Sequence, residues 1–265
     1  MQLSPDKKVC VILPTFNNAA TLGLVINAVS NFTTDVVIVN DGSTDNTLEI
    51  AKQFPFVHLV SYQKNVGKGF ALRTGFAKAV ELGFDYAITL DTDGQHFADD
   101  IPVLLNKLNE HPNAIIMGAR NMNQDAVPRK SSFGHRFSNF WFKVETGVSL
   151  SDTQSGFRLY PIRQMQNIHF FTNKFEFEVE VLVRSAWNDI EIVEVPVKVF
   201  YPEKGKRISH FRPFIDFSRI FLMRIMLVAI AIVYIHPRNW IHGIKKKSSF
   251  ATSIHTYSIH TSRIK

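Results

Sequence analysis

The chain has one cysteine among its 265 residues, Cys10. No disulfide can form within it, which excludes a cross-linked secreted scaffold and suits a reducing compartment. Cys10 lies in an apolar run and reads as a buried core thiol. Acidic residues are missing from the C-terminal stretch: residues 236–265 hold Arg238, Lys245, Lys246, Lys247, Arg263 and Lys265, and neither Asp nor Glu. These six carry most of the net charge of +7, because the other 24 basic residues face 23 acids. The basic balance is therefore a tail property and does not mark a nucleic-acid-binding globule. A basic tail behind an apolar segment suits an anionic membrane surface. No internal repeat or low-complexity tract occurs, and the polar start Met1–Lys8 lacks the apolar stretch of a secretory signal.

Long apolar runs are scarce too. The most apolar segment, Ile220–Ile235, has Arg224 as its only charge and Pro237 beyond it. As a helix it would be roughly 24 Å long, short of a hydrocarbon core of about 30 Å. Arg212, Asp216, Arg219 and Arg224 project onto one arc of roughly 140° at about 100° per residue. The segment is thus expected to lie in a membrane interface rather than cross it, with packing on the sheet or on a second subunit as the soluble reading.

The rest of the chain has a regular rhythm. Short apolar runs at Val9–Leu13, Val36–Val39, Val57–Val60, Tyr86–Leu90 and Ala114–Met117 read as buried strands. Between them, Ala19–Ser30, a segment capped at Ser43 or Thr44, Gly67–Leu82 and Asp99–Asn109 read as helices. This alternation predicts an α/β fold with a doubly wound, mostly parallel sheet and a C-terminal apolar or amphipathic helix. After residue 120 the pattern changes. Arg120–His135 is polar and predicts a loop, Phe133–Val148 a helix, Asp152–Tyr160 a loop leading into a strand, Phe175–Trp187 a helix and Ile190–Phe200 a strand. The expected organisation is a catalytic domain over 1–210, a helix over 211–237 and a basic tail over 238–265.

Sheets of this kind bind ligands beyond the carboxyl ends of their strands. Four motifs stand there: Pro14-Thr15, Asn40-Asp41-Gly42-Ser43, Asn65-Val66-Gly67-Lys68-Gly69 and Asp91-Thr92-Asp93-Gly94-Gln95-His96. Asp91 and Asp93 leave one strand end on the same side, where two carboxylates repel unless a cation or donors sit between them. That is a site for a hard cation such as Mg²⁺ or Mn²⁺, with Gln95 as a neutral oxygen ligand, and such ions bring phosphates. A solvated turn and a phosphatase with an aspartate nucleophile are the other readings of Asp-x-Asp-Gly. The Lys68 turn lacks the spacing of a known phosphate loop and is weak alone.

Taken together and in order, VCVILPTFN (9–17), VIVNDGSTDNT (37–47), NVGKGFALRTG (65–75) and LDTDGQH (90–96) resemble the family 2 glycosyltransferases of GT-A fold. DTQSGFRLY (152–160) and IVEVPVKVFY (192–201) extend the likeness, which is greatest to the dolichyl- or polyprenyl-phosphate sugar synthases. The resemblance implies that Pro14, Thr15, Asn17, Asp41 and Lys68 hold the nucleotide. It implies that Asp91, Asp93 and Gln95 bind Mg²⁺ or Mn²⁺ at the diphosphate, and that Arg207 closes over it. Arg120, Arg129, Arg136 and Asp152 would meet the acceptor, with Arg158 in the same arginine-rich stretch. The chain departs from the pattern at Asn18, Asn40 and Arg207-Ile208-Ser209-His210.

The implied activity is metal-dependent, inverting transfer of a hexose from a UDP- or GDP-sugar to a membrane lipid phosphate. It would take place at the cytoplasmic face of a membrane, by a peripheral or monotopic protein that binds no nucleic acid. Asp91, Asp93, Asp152 and Arg120 are the expected catalytic residues. A hydroxyl acceptor would need a general base, for which Asp152 is the candidate. A nucleotide-sugar-binding protein without catalysis is the alternative from another class.

Overall fold

The computed structural model describes residues 7–120, 129–200, 212–235 and 237–238. The chain divides into two compact units, Met1–Phe221 and Leu222–Lys265.

The first unit is built on the expected alternation. Strands β1 (Val9–Thr15), β2 (Val36–Asp41), β3 (His58–Tyr62), β4 (Tyr86–Thr89) and β5 (Ile115–Arg120) alternate with helices α1 (Ala19–Ser30), α2 (Thr47–Lys52), α3 (Lys68–Glu81) and α4 (Ile101–Glu110). Helix α5 (Arg129–Thr146), strand β6 (Arg158–Tyr160), helix α6 (Phe177–Trp187) and strand β7 (Ile192–Val197) follow. Helix α2 starts later than the sequence suggests. The Asp45 carboxylate accepts from the Thr47 amide at 3.0 Å and from its hydroxyl, and this Asx turn holds Ser43–Asn46 outside the helix.

The strands lie in the order β3-β2-β1-β4-β6-β5-β7. All neighbours run parallel except β6, which is antiparallel to both β4 and β5. Strand β2 is buried along its whole length, as a central strand covered on both faces must be. Strand β7 is an edge and carries Pro196, which can donate no ladder hydrogen bond. Leu22, Ile26, Val29 and Leu104 from α1 and α4 pack with Val11 and Ile38 of the sheet in one fully buried cluster.

The chain leaves β1 toward β2 on one side and returns to β4 on the other. The sheet order therefore reverses between β1 and β4, the switch point at whose carboxyl ends sheets of this kind bind ligands. Pro14-Thr15 and Asp91–Asp93 flank it.

Two expectations need correction. The polar composition of 120–135 predicts a loop, yet residues 129–135 form the first turns of α5. Phe133, Phe137, Phe140 and Val144 recur at helical spacing, and that stripe extends the helix upstream of its most apolar part. The apolar C-terminal helix is also longer than Ile220–Ile235. Helix α7 (Pro213–Ile230) continues through a wider π turn to Ile235. Phe214–Ile235 is a 22-residue helix containing an 18-residue stretch of mean hydropathy 2.1, long and apolar enough by length and composition to cross a membrane. The charge of Asp216 does not break the helix, because its carboxylate accepts from the Arg212 amide at 2.7 Å and caps the first turn.

Candidate active site

The turns after β1 and β2 are tied to each other by side chains. Asn17, in a left-handed conformation at φ 50°, accepts from the Thr44 amide at 2.8 Å through its side chain. Its own amide donates to Ser43 Oγ at 2.9 Å. Gly42 is also left-handed at φ 68°, and a Cβ there would stand 2.5 Å from the Lys64 carbonyl carbon, so only glycine lets the Asn65 turn come this close.

Asp41 is buried, and its carboxylate accepts from Asn65 Nδ2 at 2.9 Å, the Val66 amide at 2.8 Å and the Gly67 amide at 2.9 Å. Burial holds this carboxyl above its ordinary range against the pull of those donors. Asp41 thus builds the turn that leads into α3 and fills most of its acceptor directions in doing so.

Lys68, the first residue of α3, points at the end of β4. Its Nζ lies 2.8 Å from Asp91 Oδ1, 3.0 Å from Asp91 Oδ2 and 2.9 Å from Glu178 Oε1 in the first turn of α6. Burial favours the neutral carboxyl of Asp91, but the Lys68 ammonium outweighs it and holds the group below its ordinary range. Burial likewise opposes the charge on Lys68, and its two carboxylate partners prevail. Sequence reasoning missed Glu178. An acid inside the apolar stretch FEFEVEVLV was the available signal.

Thr92 lies in the turn that follows β4. It is buried, accepts from Asn18 Nδ2 at 2.7 Å, and lies 3.2 Å from Thr15 Oγ1 and 3.3 Å from the Pro14 carbonyl oxygen. This joins the ends of β1 and β4. The Asp93 carboxylate accepts from the Gln95 amide at 3.0 Å, and Gln95 is buried, its carbonyl accepting from the Phe200 amide at 2.8 Å.

The donor set at β4 can be tested against a metal. Among the described residues no group of three His, Cys, Asp or Glu side chains is placed to hold an ion. Asp91 and Asp93, two positions apart just beyond β4, are oxygen donors of the kind a hard cation takes, its other positions going to phosphate oxygens and water.

A second ion pair stands at the end of β5. Arg120 grips Asp152 in a fork, Nε to Oδ2 at 2.6 Å and Nη2 to Oδ1 at 2.9 Å, and its amide adds a third bond at 3.1 Å. Asp152 is fully buried, and His135 Nε2 lies 3.3 Å away. Burial alone would raise the Asp152 carboxyl, but the Arg120 hydrogen bonds and charge drive it well below the usual range. The loop is held from behind by Glu194, whose carboxylate accepts from the amides of Ser151 and Asp152 at 2.8 Å. His96 lies within electrostatic reach of both ion pairs, and burial pushes its imidazole down to about 4.

The remaining candidates fall elsewhere. Arg158 is fully buried and donates to the carbonyl oxygens of Ser155 (2.6 Å), Thr153 (3.1 Å) and Glu178 (2.9 Å) and to Tyr160 Oη (3.1 Å). It cannot meet an acceptor; four protein oxygens already use its donors. Arg136 is exposed on α5. Arg207 and the side chain of Arg129 lie outside the described residues, as does the basic tail from 239 onward.

This arrangement offers carboxylate oxygens just beyond β4 and a fixed guanidinium at the end of β5. Comparison with known proteins places it. Residues 10–170 match Glycosyl transferase family 2, and the chain belongs to that family. It is therefore a glycosyltransferase, and it is similar in particular to enzymes acting on lipid phosphates. It is 30% identical over 220 residues to the UDP-N-acetylglucosamine–dolichyl-phosphate N-acetylglucosaminyltransferase of Methanococcus voltae, covering 75% of this chain and 88% of that one. It is 26% identical over 212 residues to the undecaprenyl-phosphate mannosyltransferase of Micrococcus luteus, covering 75% and 86%. The fold is that of glucosyl-3-phosphoglycerate synthase from Mycobacterium tuberculosis, solved with Mn²⁺, UDP-glucose and phosphoglyceric acid. There the TM-score is 0.62 at 18% identity, over 85% of this chain and 80% of the other. The GT-A expectation holds, including the mostly parallel sheet.

Proposed function

We propose that this glycosyltransferase moves a hexose from a nucleotide-diphosphate sugar to a polyprenyl- or dolichyl-type lipid phosphate at a membrane surface, with inversion at the anomeric carbon. The observation that carries the choice of acceptor is the fork between Arg120 and Asp152. A hydroxyl acceptor needs a base, and Asp152 is buried, doubly hydrogen-bonded to a guanidinium and strongly acidic. A phosphate is already ionised near neutral pH and needs only to be placed. Asp152 serves that purpose by holding Arg120 in one orientation. The relatives named for dolichyl and undecaprenyl phosphate support the same class of acceptor.

On the donor side, the Pro14-Thr15 and Asn17 turns form the floor for the nucleotide, and Asp41 shapes the Asn65–Gly67 turn beside it. Asp91 and Asp93, with Gln95 behind them, would hold Mg²⁺ or Mn²⁺, which supplies charge neutralisation as the diphosphate leaves. Lys68 keeps Asp91 ionised, and the role proposed for Arg207 is to neutralise charge on the leaving diphosphate. The acceptor oxygen attacks from the face opposite the leaving diphosphate. The site belongs at the cytoplasmic face, with the 211–237 helix as the membrane contact and residues 1–210 as the catalytic domain.

The test offers labelled UDP- and GDP-hexoses with polyprenyl phosphate to the purified chain. A product cleaved by mild acid is expected. An acid-stable glycolipid would move the acceptor to a hydroxyl, and no product with any donor would leave only binding. Asp93→Asn should lower turnover at least ~100-fold; full activity of that variant in Mn²⁺ would remove Asp93 from the metal.

A further inference from the structure

The Lys68 ammonium spends its donors on three carboxylate oxygens, two of Asp91 and one of Glu178. Both oxygens of Asp91 are thus covered by a cation that belongs to the protein. A divalent ion arriving at Asp91 has to displace that ammonium or share the carboxylate with it, and like charges this close repel strongly at a partly desolvated site. Glu178 offers the ammonium a second anchor on a different element, the first turn of α6. That anchor is itself fixed: the Glu178 carbonyl oxygen accepts from the buried Arg158. The Glu178 carboxylate shares the Lys68 ammonium with Asp91.

We propose that Lys68 is a resident counter-ion that guards Asp91, and that Glu178 is the positioning residue that receives it when a divalent ion binds. The proposal rests on the reading of Asp91 and Asp93 as the metal carboxylates. In the free protein the ammonium neutralises Asp91 and keeps divalent ions weakly bound. When the nucleotide diphosphate arrives, its negative charge compensates for the extra cation, and the ammonium moves off Asp91 while Glu178 retains it. Metal and donor therefore bind together rather than in sequence.

The test measures Mn²⁺ binding to the purified full chain by EPR, with and without UDP and against UDP alone. Without UDP, Lys68→Gln should bind Mn²⁺ about tenfold more tightly than wild type, and Glu178→Gln severalfold more weakly, by roughly threefold. UDP should tighten Mn²⁺ binding more in wild type than in Lys68→Gln. In the Lys68→Gln background, Glu178→Gln should have almost no further effect, since its influence acts through the ammonium. An equal loss in both backgrounds would make Glu178 a plain source of negative field and overturn its role. If Lys68→Gln does not fold, Glu178→Gln decides alone, and unchanged affinity overturns the proposal. Mn²⁺ binding that is lost in Asp91→Asn yet unaltered in Lys68→Gln rejects the guard while keeping the metal site. No Mn²⁺ binding by wild type even with UDP rejects both.

Discussion

A carboxylate at a strand end keeps its aim only if its surroundings leave it one place to go. Gly156 makes that place for Asp91: a Cβ there would come within 2.6 Å of Asp91 Oδ2, and the Lys68 contacts leave the carboxylate little freedom to retreat. Gly156→Ala should therefore lower kcat about tenfold or more through the aim of Asp91 while shifting stability by only ~1 kcal/mol. Steady-state kinetics beside a thermal melt checks this, and a melt that falls with unchanged kcat would remove the claim. Cys10 makes the opposite case, a reactive group kept silent. It is fully buried, and burial pushes its thiol up to about 12 from an ordinary 9.0. In the unfolded chain the thiol ionises first, so its contribution to stability is intact below pH 9 and is lost as pH rises toward about 12. The slope from this one group is at most ~1.4 kcal/mol per pH unit. Thiol reagents should label native protein only at the rate of unfolding; rapid labelling at neutral pH would contradict the burial.

Among the elements, β6 does more than its three residues suggest. It enters the sheet against the direction of its neighbours and separates β4 from β5, so the Asp91 and Arg120 ends stand apart with the Asp152–Gly156 loop between them. Arg158 locks it by binding oxygens of that loop and of α6. Arg158→Ala would strand several buried acceptors and should cost about 3 kcal/mol or more, read as a lower urea midpoint at unchanged m. A loss below ~1 kcal/mol would mean that water replaces the guanidinium. The arginine is visible in the sequence as part of SGFRLY, but its type suggests phosphate binding. Only the pairing of β6 with two strands shows it pointing into protein. Helix α5 was half legible: its aromatic stripe predicts a helix, while its polar first turns read as loop.

At the scale of the whole molecule, the apolar helix is the proposed membrane contact. Leu222, Ile225, Ile232, Val233 and Tyr234 are exposed along it. The full chain should float with liposomes containing anionic lipid, and a chain ending at 211 should not. Equal flotation of both would place the membrane contact outside the helix.

The sequence by itself determined the strand-and-helix alternation, the family and the motifs at the strand ends, because periodicity, turn chemistry and motif order are written over a few neighbouring residues. It left Asp152 open as a base, because its partner Arg120 is 32 positions away. It did not show Glu178, 110 positions from Lys68. The tertiary structure alone decides the charge, burial and acidity at each carboxylate, since these depend on which distant cation the sheet brings to it.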